Sequence, residues 1–168
     1  MKNDSTVPDG AVRAAWHRNL AVNQALLEHL EPAMLDARSP GGGATVAQLL
    51  AHMAATTKFW GALLDPERMM ALPDLFHGEP ESGAPGALEA ETDLARIRAV
   101  WDRTAEAALA TAEAHPSGSE ESPHADGAAY LVHMMVHDAH HRGQILLALK
   151  THRHPLPDEE ALWGPWRS

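Results

Sequence analysis

The sequence contains no cysteine. That excludes a disulfide framework, a cysteine-based zinc site and any thiol nucleophile supplied by the protein, and it suits a reducing compartment. Positive charge is scarce: 13 Lys and Arg stand against 23 Asp and Glu, a formal net charge of −10. Such a surface repels a phosphate backbone, so nucleic acid is not an expected partner. No stretch approaches the ~18 uninterrupted apolar residues of a membrane span. The opening MKNDSTVPDG lacks a charged segment followed by an apolar one. No membrane association is expected, and the expected location is the cytoplasm. The alternation of β-branched and polar residues that marks strands is also missing.

What remains is helical. Four long segments rich in Ala, Leu, Met, Glu and Arg are separated by stretches where Pro, Gly and Ser collect, which predicts an all-α chain of 168 residues forming one domain over 1–168. The first helix is expected from Pro8 or Asp9 to Ala37, with Val12, Trp16, Leu20, Leu27, Leu30 and Met34 at helical spacing and Pro32 kinking its last turn. Ser39-Pro40-Gly41-Gly42-Gly43 breaks the chain. Thr45-Val46-Ala47-Gln48 then has the form of a capping box opening a second helix that ends near Leu64. The segment from Asp65 to Gly86, interrupted by Pro66, Pro73, Gly78, Pro80, Gly83 and Pro85, is too long for a simple hairpin and reads as a crossover or a functional loop. The third helix is expected over Ala87 to Ala114 and the fourth over Ala125 to Thr151. Four helices of this length make a four-helix bundle. The long second connection lets helices two and three run parallel, or it decorates a plain up-down bundle.

The chain carries twelve histidines, and imidazole is the commonest metal ligand. In His133-Met134-Met135-Val136-His137-Asp138-Ala139-His140-His141-Arg142-Gly143-Gln144 two HxxxH pairs overlap. Residues four apart on a helix lie one turn above another, so His133 with His137, or His137 with His141, can present two rings to one ion. A lone pair at this spacing is as readily a solvated histidine face. Helix two offers a third ligand in His52, a polar residue at the edge of an apolar stripe through Val46, Leu49, Met53, Trp60 and Leu63. Two histidines on one helix and one on another make a three-nitrogen site with positions left open for water or substrate. An HExxH protease motif fails because Met134 occupies the glutamate position. A di-iron site fails because Asp138-x-x-His141 has no matching motif elsewhere. His17, His29, His77, His115, His124, His152 and His154 are read as surface residues. His140 and Gln144 neighbour the site and could act around it.

These residues resemble the DinB-like (damage-inducible, YfiT-type) metal-binding four-helix bundles. His137-x-x-x-His141-Arg142-Gly143-Gln144 looks like that family's helix-four signature, and Thr45-Val46-Ala47-Gln48-Leu49-Leu50-Ala51-His52 is similar to its helix-two segment. The resemblance covers nearly the whole chain. It implies His52, His137 and His141 as ligands of one divalent ion, zinc or nickel first among them, an up-down-down-up bundle, and a homodimer. It also implies transfer of a low-molecular-weight thiol (bacillithiol, mycothiol or glutathione) to an electrophile; apart from the resemblance, Tyr130, His140 and Asp138 are the candidates for moving protons there. A related isomerase group places a glutamate where His137 stands. The alternatives are a non-catalytic divalent-metal-binding stress protein, a bundle that has lost its ion, or a metal-dependent hydrolase with Asp138 as base. On a helical wheel Asp138 sits about 100° from His137 and about 60° from His141.

Overall fold

The structure, a computed structural model, describes residues 9–78 and 88–167. It is all-α apart from one very small sheet. Helix α1 spans Asp9–His29, α2 Val46–Ala62, the short α3 Pro66–Met70, α4 Leu94–Ala114, α5 Gly127–Thr151 and the short α6 Glu159–Trp163. Among the described residues no helix is long and apolar enough to cross a membrane.

The relative directions of the long helices follow from which residues meet. Gln24 bonds Asp102, the Arg98 guanidinium donates to the Leu27 carbonyl at 2.8 Å, and Arg13 pairs with Glu113, so α1 and α4 are antiparallel. The Tyr130 hydroxyl donates to the Thr57 carbonyl at 2.8 Å, while His52 meets His137, so α2 runs against α5. Asn19 and Asn23 meet Asp138 and Arg142, and His29 reaches Pro155, which makes α1 and α5 parallel. One half of the core is built on Leu26, Leu35, Leu50, Met53, Ile97 and Leu149, the other on Trp16, Tyr130 and Met134, all nearly sealed from solvent.

Helix boundaries follow local chemistry. The expected first helix to Ala37 is too long: α1 stops at His29, and Pro32 opens a separate 3-10 turn, Pro32–Met34. A residue before proline is pushed out of the helical region, and Glu31 is indeed extended, at φ −109° and ψ 156°. Leu30, Met34, Leu35 and Ala37 still bury their side chains, so the apolar pattern is real although the helix is not. The capping box forms as expected: Gln48 N–H donates to Thr45 Oγ1 at 3.1 Å and Thr45 N–H to Gln48 Oε1 at 2.9 Å. Two further amides at the start of α2, those of Val46 and Ala47, donate to the carbonyls of Ala37 and Leu35. The turn that allows this passes through Gly41 and Gly42 at φ +80° and +82°.

The third long helix also starts later than the sequence suggests. Ala87 lies outside the described residues, but Glu89–Ala90 form a strand paired antiparallel with Phe76–His77, and α4 begins only at Leu94. Asp93 decides the boundary: its carboxylate caps Ala95 N–H at 2.9 Å, while Glu91 accepts from the amides of Thr92 and Asp93. The second connection therefore packs on the bundle through Met69 and Leu75 and returns through this strand pair.

Helix α5 is capped by Asp126, which accepts from Ala129 N–H at 2.7 Å. Its first residue, Gly127, is pressed against α4. A Cβ there would sit 2.1 Å from the Ala112 carbonyl oxygen and 2.6 Å from its Cα. Helix propensity favours alanine over glycine by at most ~1 kcal/mol, whereas overpacking against backbone costs about 1–3 kcal/mol. The clash wins. Gly127→Ala is expected to lower Tm by several degrees in a thermal melt, and an unchanged or raised Tm would contradict the close approach of α4 and α5.

Candidate metal centre

Because α2 and α5 are antiparallel neighbours, His52 on one comes level with His137 and His141, one turn apart, on the other. The Nε2 atoms of His137 and His52 are 3.2 Å apart, and those of His141 and His137 3.1 Å. The three ligand atoms lie within 4.8 Å of one another. His52 is exposed and the other two are half-buried, so the cluster opens at the surface of the bundle. His52 therefore stands at the rim and is not aimed into the core.

Nitrogens bound to one tetrahedral zinc at ~2.0–2.1 Å are separated by ~3.3 Å. The observed 3.1 and 3.2 Å are close to that edge, so the donor set fits a single divalent ion. Two details bear on tautomers. His141 Nδ1 lies 2.6 Å from Gln144 Oε1, and since that amide oxygen only accepts, it holds the ring proton on Nδ1 and leaves Nε2 free to coordinate. His137 Nδ1 is buried and has no hydrogen-bond partner among the described residues.

Burial lowers the pKa of all three imidazoles, and mutual repulsion adds to it. His137 is lowered furthest, to about 4, by burial first and then by His141 and His52. His52 is lowered by burial, and His141 by burial and by the neighbouring His52 and His140. All three shifts favour the neutral imidazoles that ligands must be, His137 most of all.

The other sequence candidates fall in different places. Tyr130 is fully buried, its hydroxyl is committed to the Thr57 carbonyl, and burial raises its pKa. His140 is exposed, its ring edge-on to His141 with centroids 4.9 Å apart. Asp138 is 3% exposed and faces α1, where the amides of Asn19 and Asn23 both donate to its Oδ2, at 2.8 and 2.7 Å. Burial raises its pKa, while the two hydrogen bonds and Arg142 pull it down. Asp138 thus faces the interior and not the flank of the histidine cluster.

His124, read from sequence as a surface residue, is half-buried. Its Nε2 lies 2.9 Å from His133 Nδ1, and Trp60 packs edge-on against it. His133 is thereby engaged by His124, and the histidines whose donor atoms converge are His137 and His141 with His52. The residues that sequence reasoning missed are Asn19 and Asn23. Their signal was present: two polar residues four apart between Trp16 and Leu26, on the buried side of α1.

Fold and cluster together define an all-α bundle whose three histidines from two antiparallel helices could hold one metal ion. The family model described as the DinB family matches residues 4–163, and the chain belongs to the DinB family. Comparison with curated proteins and with solved structures gave no match.

Removing the ligand shared by both short contacts should do most damage. His137→Ala is expected to abolish stoichiometric metal binding, and His52→Ala or His141→Ala to weaken it strongly. His17→Ala and His152→Ala are expected to bind like the wild type in elemental analysis of protein purified without an affinity tag; equal binding by all five would dismiss the triad.

Protons compete with the ion for the same nitrogens, and lowered pKa values move that competition to more acid pH. Half of the metal should be lost below about pH 6, not at the ordinary imidazole value of 6.5. Equilibrium dialysis across pH 4–7 checks this, and half-loss at 6.5 or above would contradict the shifts.

Proposed function

We propose that this protein transfers a low-molecular-weight thiol, of the bacillithiol, mycothiol or glutathione type, to an electrophile at a divalent ion held by His52, His137 and His141. The observation that carries the reading is the donor set. It is three neutral nitrogens opening at the surface, with no carboxylate in the cluster among the described residues. A zinc or nickel ion held by these three nitrogens would keep its full positive charge and so would lower the pKa of a thiol bound to it.

The chain's own residues account for the rest. A hydrolase wants a free carboxylate beside the ion as general base, and Asp138 is tied to Asn19 and Asn23 on the side of α5 that faces α1. A thiol, far more acidic than water, does not need that base. Gln144 fixes the His141 tautomer, and the exposed His140 ring stands where it can accept a released proton and pass it to solvent. Phe59 and Val136, 59% and 65% exposed and close in sequence to the ligand turns of α2 and α5, offer apolar surface to an electrophile. A protein without cysteine has no thiol of its own to be consumed, which suits work in the cytoplasm.

The test incubates metal-loaded protein with each thiol and an electrophile such as a chloro-dinitrobenzene or monobromobimane. Conjugation faster than with His137→Ala is expected for at least one thiol. No difference for every thiol tried would remove the transferase reading and leave a non-catalytic divalent-metal-binding stress protein as the better account.

We further propose a homodimer. Its support is the large apolar side chains left exposed, among them Met70, Leu147, Trp163 and Trp166. Sedimentation at micromolar concentration is expected to give twice the 18.1 kDa chain mass, and a purely monomeric species would contradict it.

A further inference from the structure

Asn19, Asn23, Asp138 and Arg142 form a closed polar ring inside the contact between α1 and α5. Each asparagine amide is used at both ends. The two Nδ2 groups donate to Asp138 Oδ2 at 2.8 and 2.7 Å, and the two Oδ1 atoms accept from Arg142 Nη1 at 2.7 and 2.5 Å. Asn19, Asn23 and Asp138 are 1%, 3% and 3% exposed.

Holding the helices together does not require such a ring. Trp16, Leu26, Tyr130, Met134 and Ile145 already supply buried apolar surface on α1 and α5, and replacing a buried ion pair by packed apolar residues is often neutral or stabilising. What apolar packing does not supply is direction. It tolerates small rotations of a helix about its axis, whereas a ring of short hydrogen bonds does not.

Direction matters here because of sequence adjacency. Asp138 directly follows His137 and Arg142 directly follows His141, so the two ring residues repeat the one-turn spacing of the two ligands about 100° further round α5. Side-chain ends lie ~6 Å from a helix axis. A 10° rotation would therefore displace the ligand nitrogens by ~1 Å, about twice the ~0.5 Å within which a working site must be held. We propose that Asn19 and Asn23 are positioning residues of the metal centre: from α1 they fix the rotation and height of α5, and with them the placement of His137 and His141. This rests on the triad being a metal site and is independent of the reaction carried out there.

The test is titration of the metal-free full chain with Co(II), followed by its d–d absorption, alongside thermal melts. Asn19→Leu and Asn23→Leu keep the branched four-atom shape of the side chain and remove both hydrogen bonds. Each is expected to weaken Co(II) binding about 10- to 100-fold and to change the position and intensity of the d–d bands. Asp138→Asn keeps an acceptor oxygen while removing the charge opposite Arg142, is expected to give a smaller change in the same direction, and decides the matter if a leucine variant fails to fold. Ile97→Ala, a core truncation on α4 outside the ring, is the control: Tm falls while spectrum and affinity stay those of the wild type. Wild-type bands and affinity in all three ring variants would overturn the proposal, as would an equal loss in Ile97→Ala. A wild-type chain that takes up no Co(II) in a His137-dependent manner would instead dismiss the metal centre itself.

Discussion

A carboxylate and a guanidinium taken out of water carry a desolvation penalty of several kcal/mol each unless every lone pair and proton finds a partner. Between them, Asn19 and Asn23 supply two such partners each to Asp138 Oδ2 and Arg142 Nη1 of α5, and much of the site's geometry depends on it. Once the ring is closed, the side of α5 facing α1 is fixed. The stripe of Tyr130, Met134, Ile145 and Ala148 must then fill the core, and His137 and His141 are left at the margin toward α2. The metal cluster is the remainder of a helix whose other faces are already committed. That explains how two imidazoles can be half-buried on a helix without being in the core.

The architecture was legible in the sequence because its signals were of the robust kind. Long Ala- and Leu-rich segments, a capping box with both partners and Pro/Gly-rich connections survive tertiary context. Helix ends were less legible because two local rules competed at each. In residues 30–37 the apolar spacing of a helix continues, but Pro32 forbids the preceding residue a helical conformation, and burial is retained in a 3-10 turn. Before α4 the run Leu88-Glu89-Ala90-Glu91 is made of good helix formers, yet pairing with Phe76–His77 and the cap on Asp93 prevail. Propensity is worth tenths of a kcal/mol per residue there, and a cap about 1 kcal/mol.

The site was legible in its ligand types and not in its surroundings. Spacing brought His137 and His141 together, and one polar residue on an apolar stripe brought in His52. Periodicity cannot say which side of α5 is interior, because His137 and Asp138 are adjacent and either could head the buried stripe. Only the partners on α1 break that tie, and they are about 120 residues distant in sequence. The pairing of His124 with His133 was invisible for a similar reason: it joins a loop to a helix across a turn whose shape depends on Ser119 and Ser122.

Burial penalises charge on His137, and His52 and His141, with nitrogens 3.2 and 3.1 Å from its own, repel it when protonated, so His137 is lowered to about 4. A chain that spends folding energy to keep three bases uncharged and converging has a site already in the protonation state a cation requires. The Asp138 carboxylate, the one acid next to a ligand in sequence, is withdrawn to the α1 side. Brought into the cluster it would add a negative ligand and reduce the ion's net charge, weakening its effect on anything bound at the open position. Turned inward, it locks the helix and leaves the cluster all-nitrogen. The same residue placement that fixes α5 against α1 thus keeps the cluster all-nitrogen, and the two are inseparable because one turn of α5 carries both.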